Sequence, residues 1–139
     1  MVDKPVIRSK LTTAESQLKE LKSFAAIARP QFERNKTIQA AILHHAQIAI
    51  QACCDIASHI VADKGWGIPG TTGELFDILA HHRVITRPLA KKLREQVGFR
   101  NLVVHGYDKL DLGRVHHSLP SRRTVVAGFL KAVAKYTKV

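Results

Sequence analysis

The segment from Gln31 to Asp63 constrains the fold more than any other part of the chain. It contains neither proline nor glycine, and Ile38, Ile42, Ala49, Ala52, Ile56 and Ile60 recur along it at helical spacing. A helix this long and this apolar is central to a bundle. Ahead of it, Ile7, Leu11, Leu18, Leu21 and Ala25 mark another helix from Val6 to about Ala28. Pro30 separates the two, either as a turn or inside the first turn of the second helix. Glycine and proline cluster only in GWGIPG, Gly65–Gly70, which is the principal loop.

The second half reads as shorter helices. Thr71 and Glu74 have the capping-box spacing ahead of Leu75, Phe76, Ile78 and Leu79. Thr86 caps a fourth helix that tolerates Pro88 in its first turn. Leu89, Leu93, Val97 and Val104 share one side of it, and Gly106 suits a stop just beyond His105. A short helix is expected from Asp111 to His117, ahead of Pro120. Ser121 then begins the last helix, with Val125, Val126, Phe129, Leu130 and Val133 facing inward. The expectation is an all-α, antiparallel bundle of five to six helices forming a single domain over residues 1–139.

Several function classes drop out. No apolar run approaches the ~20 residues of a membrane span. The N-terminal MVDKPVIRSKL lacks the long apolar stretch of a signal peptide, so a cytoplasmic location is expected. Cys53 and Cys54 are adjacent and read as two small apolar helix residues in a reducing compartment. Zinc needs better-spaced ligands, and neither metal nor cofactor is expected. Charge is more informative: 22 Lys and Arg against 11 Asp and Glu give +11, which points to an anionic partner. Residues 71–139 hold 13 of the basic side chains and five of the acidic ones, so that half is the one expected to meet a polyanion. Charge alone leaves RNA, DNA, an acidic protein and a nucleotide all open.

The stretch FRNLVVHGYD, from Phe99 to Asp108, places an arginine, a histidine and a tyrosine among apolar residues. Arg100 lies three residues after Val97 and four before Val104, on what reads as a core face. An arginine there is costly unless something anionic meets it. A salt bridge to Asp55, Asp63 or Glu95, or snorkelling at the helix end, is the purely structural alternative. His105 follows five residues later, about 140° around an ideal helix. The two converge only if the helix ends near Gly106 or if a cleft draws on two chains. Histidine suits proton transfer near neutral pH and arginine suits phosphate. With a nearby tyrosine they could cleave a phosphodiester without metal, although a histidine at a helix C-terminus also serves as a cap.

The wider segment GFRNLVVHGYDKLD resembles the R-x-x-x-x-H-x-Y motif of HepT-like toxins, members of the HEPN superfamily of helical ribonucleases. Arg100, His105 and Tyr107 fill its defining positions, and Asn101 is the polar residue commonly found after the arginine. Residues Ala49 to Ile85 also look like the central region of that family. The chain departs from the family's pattern at His44 and His45, where a basic residue followed by a polar one is usual. The resemblance implies a HEPN-like fold, a two-fold homodimer whose motifs line a shared basic cleft, and metal-independent RNA cleavage. On that implication His105 transfers protons, Arg100 stabilises charge on the scissile phosphate, Asn101 orients them and Tyr107 positions substrate. It further implies the toxin of a type VII toxin–antitoxin system, neutralised when an MntA-type nucleotidyltransferase antitoxin attaches AMP to Tyr107. An alternative within the fold is a non-catalytic HEPN module that binds RNA or a nucleotide. A third reading is a structural adaptor for acidic proteins.

Other candidates stay secondary. Lys91, Lys92, Arg94, Arg114, Arg122 and Arg123 are candidate contacts to an RNA backbone, or simply solvated charges. Asp55 and His59, four residues apart, read as a satisfied interhelical pair rather than as metal ligands. His81, His82, His116 and His117 read as exposed helix ends. Trp66 reads as an anchored loop aromatic, with base stacking as its functional alternative.

Overall fold

The computed structural model describes residues 3–139. Helix α1 spans Lys4–Ser23, and the Asp3 carboxylate caps it by accepting from the Val6 amide at 3.2 Å. It ends five residues short of the expected Ala28, closed by tight bonds from Phe24 and Ala25 to the Leu21 and Lys22 carbonyls. Pro30 sits in the first turn of a separate short helix, α2, Arg29–Arg34. The long helix α3 then runs over Lys36–Lys64.

The break between α2 and α3 corrects the expectation of one helix from Gln31. Asn35 takes an extended backbone, and its side chain accepts from the Ile38 amide at 3.0 Å. Asparagine favours such a cap over a helix interior. Gln39, 5% exposed, completes the joint by donating from Nε2 to the Phe32 and Glu33 carbonyls at 2.9 and 3.0 Å. The carbonyls freed at the end of α2 are thereby satisfied.

Gly65 ends α3 with φ +63°, the left-handed conformation that favours glycine, and the Trp66 amide bonds back to Val61. Helix α4 spans Glu74–His81. The capping box is present in slightly shifted form: the Glu74 amide reaches the Thr71 hydroxyl at 3.4 Å, while the Glu74 carboxylate accepts from the Gly70 amide. Thr86 caps α5, Arg87–His105, by accepting from the Leu89 amide. A 3-10 turn over Tyr107–Lys109 leads into α6, Leu112–Thr137.

Every other α-helix packs against α3, whose buried face includes Ile42, Leu43, Ile56, Ile60 and Val61. Phe76 of α4 meets Phe129 of α6 edge-on at 5.5 Å. Cys53 and Cys54 are both buried free thiols in this core. The bundle is all-α, and no described helix is long and apolar enough to cross a membrane.

Three further expectations need correction. Residues 111–117 and 121 onward form one helix, with Pro120 inside α6. The ring removes the hydrogen bond to the His116 carbonyl, yet the first turns stay aligned because they are anchored elsewhere. His116 Nε2 lies 2.7 Å from the Ile27 carbonyl and its ring packs on Phe32, so His116 is half-buried rather than an exposed helix end. On α5, Val103 is buried while Val104 is 44% exposed, so the inward stripe runs through Phe99 and Val103. Pro120 is exposed, and Pro120→Ala restores the missing donor with little packing lost. The variant should gain about 2 kcal/mol, the interior-proline cost less the entropy that proline removes from the unfolded chain. Urea unfolding monitored by circular dichroism checks this, and a lowered midpoint would assign the ring a packing role.

Candidate functional site

The C-terminal half of α5 carries Arg100 toward α3. Its Nη1 donates to Gln51 Oε1 at 2.7 Å, and Gln51 Nε2 donates to Asp55 Oδ1 at 2.9 Å. Asp55 also faces Lys10 of α1, with Nζ 3.4 Å from Oδ2. The chain Arg100–Gln51–Asp55–Lys10 therefore joins three helices. Asp55 orients the Gln51 amide, so the carbonyl oxygen faces the arginine. Neither Asp55, Asp63 nor Glu95 bonds Arg100 directly, and Arg100 Nε is buried without a hydrogen-bond partner among the described residues.

Three neighbours of this hydrogen-bonded chain are His59, Cys54 and Cys53. His59 does not pair with Asp55, and its Nε2 is likewise buried without a hydrogen-bond partner among the described residues. Asp55 is instead satisfied by Gln51 and Lys10. Burial pushes the Cys54 thiol up to about 11, against the opposing pull of the Arg100 charge. Cys53, more deeply placed, is raised further by the same cause.

His105 is the last residue of α5 and is exposed. The Gly106 amide closes the helix on the Leu102 carbonyl at 2.8 Å. A Cβ at Gly106 would lie 2.9 Å from the terminal methyl Cδ1 of the exposed Leu102, which would have to swing aside. Tyr107 opens the 3-10 turn with 47% of its surface exposed, and Asn101 is also exposed. Within one chain Arg100 and His105 make no mutual hydrogen bond: the first is tied inward to α3, the second faces solvent. Leu102, Val104 and Tyr107 are three of the large apolar or aromatic side chains that remain exposed. They cluster within this one segment.

Beside the motif lies an open groove of about 750 Å³ between α5, the 3-10 turn and the start of α6. Phe99, Leu102 and Leu110 form its apolar side, and Arg29, Lys109, Arg114 and Arg122 supply positive charge. The Arg122 guanidinium carbon sits over the Phe99 ring, 3.7 Å from its centroid, and the group donates to Ser118 and Gln96 at 3.0 and 2.9 Å. Burial lowers its pKa from the ordinary arginine value, yet a guanidinium stays charged at neutral pH. Arg29 crosses Gly113, where an added Cβ would fall 2.3 Å from Nη2. A bond to Glu33 at 2.7 Å raises the pKa of Arg29.

Of the basic residues singled out in the sequence, Arg114 lines this groove, 3.8 Å from Asp111, and Arg122 forms part of its wall. Lys91 and Lys92 are exposed on α5 outside it, and Arg94 is ion-paired with Asp77 of α4. Arg123 lines a small cavity with Ile27 and His116. Trp66 is anchored, its ring stacked on His82 at 3.9 Å. Sequence reasoning missed Gln51, Arg29 and Lys109. Gln51 stands four residues before Asp55, a spacing at which such pairs bond on a helix. Arg29 reaches the groove from the far end of the chain, and no local signal could have placed it there.

Comparison with known proteins adds an independent line. The family model described as "Ribonuclease HepT-like" matches residues 14–133. A protein of Shewanella oneidensis named mRNA nuclease HepT is 34% identical over 81% of this chain and 84% of its own length. A tRNA nuclease HepT of Aphanizomenon flos-aquae is 29% identical over 82% and 78%. The structure of a tri-AMPylated Shewanella oneidensis HEPN toxin in complex with MNT antitoxin superposes with a TM-score of 0.86 at 30% identity. It covers 94% of this chain and 97% of that one.

Gln51→Leu leaves the Arg100 guanidinium without its acceptor in a half-buried position. The variant should lose about 1–3 kcal/mol, the usual penalty for stranding a buried polar group. Chemical denaturation measures it, and an unchanged midpoint would show that Arg100 does not depend on this bond.

Proposed function

Because this chain belongs to the HepT-like ribonuclease family, we propose that it is the toxin of a toxin–antitoxin pair. In this reading it is an endoribonuclease that cleaves RNA without a metal ion. The observation that carries the reading is the pairing of a tethered Arg100 with an exposed His105 and Tyr107 beside a basic groove. The RNA 2′-hydroxyl attacks the adjacent phosphorus and the bond to the 5′-oxygen breaks. His105 takes the 2′ proton or supplies one to the leaving oxygen. Arg100 stabilises the charge that develops on the phosphate, and its tether to Gln51 means that little reorganisation accompanies the step. Asn101 orients the reacting groups, and Tyr107 positions the strand. Arg114, with Lys91, Lys92 and Arg94 as more distant contributors, meets the RNA backbone.

The inward turn of Arg100 and the outward turn of His105 favour a cleft completed by a second copy. The exposed Leu102 and Val104 supply apolar surface for that pairing. Purified protein should run by light scattering at twice 15.4 kDa. It should cleave RNA in EDTA, leaving 2′,3′-cyclic phosphate or 3′-phosphate ends. Arg100→Ala and His105→Ala should each abolish cleavage with the helical spectrum retained. Equal activity in wild type and both variants would remove this site from consideration. RNA binding without any cleavage would favour a non-catalytic module, and activity restored only by a divalent ion would indicate a metal nuclease.

Control falls to Tyr107. Its exposed phenol stands on a turn rather than in a regular helix, within reach of a partner enzyme. An MntA-type antitoxin transfers AMP from ATP: the phenolic oxygen attacks the α-phosphorus, pyrophosphate leaves and the phenol proton passes to solvent. Each AMP adds negative charge beside Arg114 and Lys109 and excludes the RNA phosphate. Mass spectrometry after incubation with the antitoxin, ATP and magnesium should find AMP on Tyr107, with cleavage lost in step. Tyr107→Phe should block the labelling. Unchanged labelling in that variant, or label on Tyr136, would reject Tyr107 as the control residue.

A further inference from the structure

A second basic groove lies at the other end of α5. The α4–α5 turn and the last turns of α6 enclose about 950 Å³. His81, Arg83, Arg87, Lys135 and Tyr136 line it over a floor that includes Leu89, and no acidic side chain is among its lining residues. The side chains of Arg83, Arg87 and Lys135 have no ion-pair or hydrogen-bond partner among the described residues. Like charges gathered around one groove repel each other, and an anion between them relieves that repulsion.

Arg83 adds an independent observation. It has φ +62°, and the Val84 amide returns to the Leu79 carbonyl at 2.9 Å, so Arg83 occupies the left-handed position that closes α4. Glycine usually stands there, because a Cβ crowds the neighbouring carbonyl. Here the chain carries a guanidinium into the groove at a position where its own backbone preference argues against any side chain.

The lining favours a nucleic-acid strand over a protein. Val84, Ile85 and Leu89 give it an apolar floor, but every charged group at its edge is cationic, which suits a polyanion better than the mixed charge of a protein rim. It does offer cations beside an aromatic edge, with Tyr136 packed near Trp66, itself stacked on His82. Single strands are held by that combination, phosphates on the cations and bases on the rings. Arg87 and His105 are the first and last residues of α5, which sets groove and motif about 27 Å apart along the helix axis. Building on the ribonuclease reading above, we propose that this groove binds the phosphodiester backbone of the RNA substrate at a distance from the cleaved bond. Long RNAs are then held at two places and short ones at one.

The test uses full-length His105→Ala protein, so that substrate is not consumed, and fluorescence anisotropy across a salt series. One probe is a long unstructured RNA; the other is an oligonucleotide too short to span about 27 Å. Adding Arg83→Gly and Arg87→Gln should weaken binding of the long RNA and reduce its logarithmic salt slope by about 1.4, the share of two lost phosphate contacts on a single strand. Binding of the short RNA should not change. Lys19→Gln with Lys22→Gln, exposed on α1, removes the same charge elsewhere and should leave the slope unaltered. Arg83→Gly relieves the left-handed residue, so its melting temperature should hold or rise, and lost binding cannot then be ascribed to unfolding.

If the groove variant behaves like the α1 control, the groove is not an RNA site. If it loses antitoxin binding while the RNA slope stays unchanged, the occupant is a protein and the proposal fails. Failure of the protein with its groove unaltered to bind any RNA would overturn the ribonuclease reading and this inference with it. Normal RNA binding with an insensitive slope would overturn this inference alone.

Discussion

A helix as apolar as α3 must be covered on nearly every side, and that requirement places the other helices around it. One break in that apolar cover is a line of polar residues at helical spacing, Gln51, Asp55 and His59. Lys10 arrives at this line from α1 and Arg100 from α5. Placing an arginine against an otherwise apolar helix is unfavourable unless its donors are met, and one of them is met by Gln51. The contact that docks α5 on α3 therefore also fixes the direction of the motif's first residue. Packing and site are consequences of the same interhelical seam.

The sequence made most helix starts readable because those starts are local. Thr86, Thr71 and Glu74 bond to backbone groups within four residues of themselves. The misreadings arose where a distant partner decided the outcome. Asn35 breaks the long segment because Gln39 satisfies the carbonyls that the break exposes. Pro120 fails to break α6 because His116 is held by Ile27 and Phe32, residues far away in the chain. The motif itself could be read as three residue types at fixed spacing. The partner of Arg100 could not, since an uncharged glutamine rather than an acid meets it.

Charge adds a layer that residue counts could only outline. The basic excess of residues 71–139 is not spread evenly over the surface. Arg94 is neutralised by Asp77, and Arg122 is laid over Phe99 and held by Gln96 and Ser118. Arg29, from the less basic half, joins the groove at the motif. The field that a polyanion meets is therefore set by where the cations are held: at the motif groove Arg29 and Arg114 share their charge with Glu33 and Asp111, whereas Arg83, Arg87 and Lys135 at the other end of α5 have no acidic partner among the described residues.

The two ends of the motif differ in a way that bears on regulation. Arg100 is half-buried and joined to two other helices through Gln51 and Asp55, so a bulky group attached to it would have to enter the seam between α5 and α3. Tyr107 lies on a 3-10 turn, exposed, and no side-chain hydrogen bond among the described residues ties its phenol to the core. A group attached there meets solvent on the same turn as Lys109, a residue of the groove, and leaves the packing around α3 untouched. Repulsion between such an anion and an incoming phosphate acts over several ångströms and is strongest where low-dielectric walls limit screening. Control placed on Tyr107 can thus be imposed on the folded protein, whereas control placed on Arg100 would first have to open the interface that holds α5 to α3.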